Sequence, residues 1–173
     1  MILPLCTYGS VVLRKKSEPV EEITPELVKL ARDMLETMYG ASGVGLAAPQ
    51  VGKNIRLVVI DIEKEEDERN PIILFNPEVI PEEGDNPMES EEEGCLSVPD
   101  IWAKVSRPSK VRLIYTNEKG ESVCLHNVTG KLARCAQHEL DHLNGVLFTD
   151  KISIADRAIN ASKLRRMAKD AKR

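Results

Sequence analysis

The chain has 173 residues, 42% apolar and 30% charged, which suits one soluble domain, residues 1–173, with a real core. Aromatics are only 3%, so Leu, Ile and Val must build that core, which argues against a base-stacking or sequence-specific nucleic-acid platform. The net charge of −4 is uneven: residues 151–173 carry eight Lys/Arg against two acids, +6, leaving −10 on residues 1–150. In chain order, Thr24-Pro25-Glu26 predicts a helix start, with Thr as N-cap and Pro at the first helical position. Leu27, Leu30, Ala31, Met34, Leu35 and Met38 follow at helical spacing, and Gly40 stops them. Ala41 to Gln50 is small and Gly-rich. Ile55 to Asp61 is a β-branched run that predicts a strand. Glu63 to Asn70 reads as a charged turn, and Ile72 to Phe75 as a short strand, with another at Val79-Ile80 after Pro77. The acidic stretch Pro81 to Glu93 reads as a loop. Val111 to Thr116 and Ser122 to His126 flank Asn117-Glu118-Lys119-Gly120 as a hairpin. Thr129 should cap a helix running to Leu143, ended by Asn144-Gly145, and a last basic helix should span Ile154 to Ala171. Without βα alternation, this order predicts an α+β fold, with antiparallel or mixed sheets packed on helices.

His138-Glu139-Leu140-Asp141-His142 is an H-E-x-x-H motif on the second of these helices. Residues four apart stand one above the other, so two imidazoles can converge on one cation. Glu139 lies about a hundred degrees around the helix, within reach of a water on that cation. The apolar stripe of this helix is Leu132, Ala133, Ala136, Leu140 and Leu143. The histidines lie off it, so they are not core filler.

A catalytic centre needs a third protein ligand and an open position. A metzincin would continue to a third histidine, where this chain has Phe148. A thermolysin-like enzyme would take a later Glu, and none follows Glu139. Asp150 and Asp156 stand outside any ligand motif. Cys135 shares the helix face but is about 10 Å along the axis from His142, which suits a small buried thiol beside the site. His126, near Cys124 on a strand of alternating character, is a weaker candidate. Cys95 remains, after Glu93-Gly94, where glycine lets the backbone come close and a thiolate is a strong ligand.

Three segments carry a resemblance. Gly43-Val44-Gly45-Leu46-Ala47-Ala48-Pro49-Gln50, Glu93-Gly94-Cys95-Leu96-Ser97 and Gln137-His138-Glu139-Leu140-Asp141-His142 resemble, in order and separation, the three motifs of the peptide deformylases. The similarity runs from about Leu5 through Ile152. There are departures. Gly9-Ser10-Val11-Val12-Leu13-Arg14 lacks the proline common in the family, and Asp100-Ile101-Trp102 replaces a stretch often carrying Gly or Arg.

The resemblance implies an α+β fold around a central H-E-x-x-H helix, with an N-terminal and a C-terminal helix. It implies hydrolysis of the N-formyl group from N-formylmethionyl nascent chains. It assigns Cys95, His138 and His142 as metal ligands, Glu139 as the proton carrier, and the Gln50 amide and Leu96 backbone N–H as oxyanion donors. Gly43, Val44, Gly45, Leu46 and Gly94 would contact a substrate bound as an added strand. The family typically uses Fe2+, for which Zn2+, Ni2+ or Co2+ can substitute. Two rival functions are a zinc endopeptidase and a non-catalytic, ribosome-associated metal-binding module. The basic tail, residues 152–173, is either a solvated helix face or a contact with a ribosome. No membrane span or signal peptide is visible. The four cysteines lack paired spacing, and the expected compartment is cytoplasmic.

Overall fold

The structure, a computed structural model, describes residues 1–63 and 65–172. Lys64, in the expected charged turn, and Arg173, at the end of the basic tail, lie outside the described residues. The first helix, α1, spans Pro25–Gly40. The Thr24 hydroxyl accepts from the Leu27 backbone N–H at 3.3 Å, which satisfies one of the donors that every helix start leaves open. Seven strands follow: β1 Gly45–Ala47, β2 Leu57–Ile60, β3 Ile72–Pro81, β4 Met88–Cys95, β5 Val98–Pro108, β6 Val111–Thr116 and β7 Ser122–Val128. Helix α2 is Gly130–Leu143 and α3 is Ile154–Asp170.

Five strands form one antiparallel sheet in the order β1-β2-β3-β6-β7, while β4 and β5 pair only with each other. All four residues of β2 are buried because helices cover both faces of the large sheet. Leu57 and Val59 pack with Met34, Met38 and Phe75 on the α1 side. Val58 and Ile60 pack with Leu74, Ala133, Ala136 and Leu143 on the α2 side. A run without polar alternation is what two-sided burial demands. A third cluster joins Val98, Ile101, Ala103 and Val105 of β5 to Phe148 and to Leu164 of α3.

The helices, β2 and the β6–β7 hairpin match the sequence reading closely, and three local expectations are corrected. Two short strands around Pro77 are one bent strand, β3. Asn76 takes a φ of 50° at the bend, the register shifts between Phe75 and Glu78, and the Asn76 amide bonds Val20 N and O, each at 2.8 Å. A bulge places Pro77 where no ladder donor is required. The second half of the acidic loop, from Met88, is strand β4, because pairing with β5, itself unforeseen, outweighs the poor strand propensity of glutamate. Finally, Thr129 sits at the N-cap of α2, but its side chain makes no capping bond.

Candidate metal centre

The stripe of α2 expected to be apolar packs against the sheet, and burial continues around the adjoining side of the helix. Cys135, His138, Glu139 and His142 are all covered, because Gly45 of β1 lies against Cys135 and Glu139 while Glu93 and Cys95 of β4 meet the two histidines. At the end of β4, the sulfur of Cys95 comes to 3.2 Å from His142 Nε2. One ligand atom each from Cys95, His138 and His142 falls within 4.8 Å of the other two. The two imidazole rings stand edge to face, 5.1 Å apart. Asp150 instead pairs with Arg14 at 2.6 Å. His126 is exposed on β7 near Cys124, and the buried Cys135 thiol faces the Val44 carbonyl at 3.8 Å. None of these joins the cluster.

The donor set fits a metal ion. Cysteine sulfur and histidine nitrogen are usual ligands of such ions, and three protein ligands are what a catalytic site with one open position needs. Glu139 Oε2 is buried without a hydrogen-bond partner, as is His142 Nδ1, and a buried carboxylate oxygen left open needs a partner from outside the chain. Burial pushes the Glu139 carboxyl up to about 7, against the pull of the His138 charge. Burial also drives His142 well down, keeping it neutral. Burial lowers His138 as well, but the hydrogen bonds it donates to Cys95 and Glu93 raise it to about 10 in the metal-free pocket. A cation held by the same atoms takes the place of that proton.

Glu93, quoted in the second motif but given no role, does orienting work. Its Oε1 accepts from His138 Nδ1 at 2.9 Å, which leaves Nε2 free to face a cation. Arg107 grips the same carboxylate at 2.6 and 2.9 Å and reaches Asp141 of α2 at 2.9 Å. Arg134 adds a contact to Glu93 at 2.7 Å. Burial would raise Glu93, but Arg107 and His138 bring it down to about 2. Arg107 carried no sequence signal, since a lone Arg in an unassigned stretch looks like surface.

Gln50 lies in a short 3-10 turn, Ala48–Val51, and is 1% exposed. Its Oε1 accepts from Ala47 N at 2.9 Å, which aims Nε2 at Ser97 Oγ, 3.1 Å, and Cys95 Sγ, 3.5 Å. Gly45 lies against α2: a Cβ there would fall 2.6 Å from Cys135 Sγ and 2.7 Å from Glu139 Oε1. A Cβ on Gly43 would meet the side chain of Leu96 at 2.8 Å. An open cleft of about 610 Å³ runs past these groups, with Gly43–Gly45 on one side, Gly94 and Cys95 on the other, and His138 and Glu139 beneath. Val44 lines it, 43% exposed. Leu46 does not. It is 0% exposed and packs in the core on the α1 side, because alternation along β1 turns it away from the cleft. Both flanks are strand edges: β1 ends the large sheet, and β4 has a ladder partner on one side only.

The family model for polypeptide deformylase matches residues 2–158. The peptide deformylase of Mesorhizobium japonicum is 45% identical over 169 residues, covering 98% of this chain and 94% of that protein. The crystal structure of the Thermus thermophilus peptide deformylase superposes with a TM-score of 0.89 at 38% identity, covering 98% and 99% of the two chains. That of the Synechococcus elongatus enzyme in complex with actinonin gives 0.86 at 44% identity, covering 93% and 87%.

Proposed function

The chain belongs to the polypeptide deformylase family, and from that premise we propose how its residues remove the N-formyl group from nascent polypeptides. It is a hydrolase, and its family is metal-dependent. One observation carries the residue-level reading: Cys95, His138 and His142 offer three ligand atoms within 4.8 Å, with the unpartnered Glu139 oxygen beside them. Cys95, His138 and His142 hold the ion, which when bound supplies Lewis acidity that acidifies water and polarises the formyl carbonyl. We assign ferrous iron as the native ion, with zinc, nickel or cobalt able to occupy the same donors.

Glu139 takes the proton of the attacking water on its free oxygen and returns it to the departing amine. The Gln50 amide, held by Ala47 N, donates Nε2–H to the oxyanion, and the Leu96 backbone N–H is the second donor. The peptide lies extended between β1 and β4, where Gly43, Gly45 and Gly94 let its backbone approach and Val44 flanks its first side chain. Residues 1–173 act as one deformylase domain. Its four cysteines, all free, suit the reducing cytoplasm. Among the described residues no helix is long and apolar enough to cross a membrane.

Formate release from formyl-Met-Ala, measured with metal content, tests this assignment. Glu139→Ala should keep the ion and lose turnover by at least a hundredfold. Cys95→Ala should lose the ion, while Cys135→Ala keeps it. Metal retained by Cys95→Ala would move the third ligand elsewhere.

We also propose that α3 meets an RNA-rich partner such as the ribosome. Arg165, Arg166, Lys169 and Lys172 are exposed, whereas Leu164 is buried against β5. Deleting the helix would therefore damage the core, and charge reversal is the cleaner probe. Glutamates at the four basic positions should weaken ribosome co-sedimentation and spare hydrolysis of short peptides. Equal co-sedimentation would remove the idea.

A further inference from the structure

Trp102 is the chain's single tryptophan, and it is 66% exposed although it lines the cleft. On β5 the inward residues Ile101, Ala103, Val105 and Arg107 are buried, and Trp102 projects from the other face. Its six-membered ring lies across Gly94: a Cβ at that position would fall 2.4 Å from a ring carbon. The missing side chain at Gly94 is thus what allows the indole to rest on β4, one residue from Cys95.

A peptide added to the free edge of β4 alternates its side chains between the two faces. The cleft floor is the α2 stripe Lys131, Arg134, Cys135, His138 and Glu139, so a first side chain beside Cys135 points inward. The second then projects to the outer face, which Gly94 and Trp102 share. Glu92, diagonal to Trp102, stands opposite Lys104, and Lys163 donates to the Asp100 backbone carbonyl at 3.4 Å. On that outer face the indole offers the large flat apolar surface.

We propose that Trp102 is a specificity-determining residue that receives the second side chain of the formylated peptide and favours a large apolar one. This rests on the deformylase reading above. The metal-loaded enzyme is assayed with formyl-Met-X-Ser, where X is Ala, Leu, Phe or Glu. KM for Leu and Phe should lie about fivefold below that for Ala, with kcat nearly constant along the series. Trp102→Ala should level the series to within twofold, and Trp102→Phe should restore the preference. A flat series in the native enzyme, or a preference that survives Trp102→Ala, overturns the proposal. As a readout independent of turnover, formyl-Met-Phe-Ser added to metal-loaded Glu139→Ala should shift the single tryptophan's emission to the blue; an unmoved spectrum also overturns it. Absence of formate from formyl-Met-Ala-Ser with the native enzyme would instead sink the deformylase reading.

Discussion

Glu139 is the residue on which burial has the largest chemical consequence. Its carboxyl is raised to about 7, chiefly because the pocket penalises the charged form. The proton acceptance proposed for Glu139 needs the ionised form, so activity should fall as pH drops through the folded pKa. A cation beside the carboxylate favours its charge and moves that midpoint down. The acid limb of kcat/KM is therefore expected between pH 4.5 and 7. A limb centred above pH 8 would assign the step to another group. Gln50 shows the complementary device: one end of the amide is tied to the backbone so that the other has a fixed direction, and in the role proposed for it a preset donor costs no reorganisation when charge develops.

Among the elements, α2 is buried over a wide arc in which an apolar stripe adjoins a polar one. The polar stripe survives burial because β4 and β5 meet it with partners: Glu93 for His138, Arg107 for Asp141, and Gly45 of β1 for the bulk of Glu139. Gly45→Ala tests how tight this fit is. The new methyl would intrude on Cys135 Sγ and Glu139 Oε1, forcing α2 and β1 apart by some tenths of an ångström. We expect a folded chain by circular dichroism with activity down tenfold or more, since small misplacements of reacting groups are costly. Near-native turnover would show that the carboxylate can move aside.

This pairing also explains what could be read in advance. The α1 start, the β6–β7 turn and the H-E-x-x-H face are local, with Thr24-Pro25, Lys119-Gly120 and a four-residue repeat as their signals. Cys95 could be singled out by its neighbours and by resemblance. Strand β4 could not be recognised, because Met88-Glu89-Ser90-Glu91-Glu92-Glu93 owes its extended form to β5 and its charge balance to Arg107 and Arg134. Arg107 was invisible for the same reason: its partners lie 14 and 34 residues away.

Across the whole molecule, the proposed ion joins two substructures. Cys95 ends the β4–β5 pair, which no ladder connects to the five-stranded sheet, while both histidines belong to α2. Stripping the ion should lower Tm by roughly 5–10 °C where it was present at about a hundred times its dissociation constant. The loss should grow between pH 6.5 and 8. In the metal-free fold, Glu139, raised to about 7, and His138, raised to about 10, hold protons that the unfolded chain has already released, so stability falls as pH rises. The bound ion replaces these protons and removes that slope. Equal Tm with and without chelator would mean that the protein's own contacts, Arg107 and Arg134 on Glu93 among them, fasten the pair without the ion.

The cleft is flanked by the free edges of β1 and β4. A client bound there by strand pairing, as proposed, must present an extended chain terminus, which a helix or a finished hairpin does not offer. Deformylation by this enzyme is then a race: each client must be reached before its first residues are drawn into its own secondary structure. Proteins whose N-terminal segments fold early, while synthesis at about 5–20 residues per second is still under way, would keep their formyl group most often when enzyme is scarce.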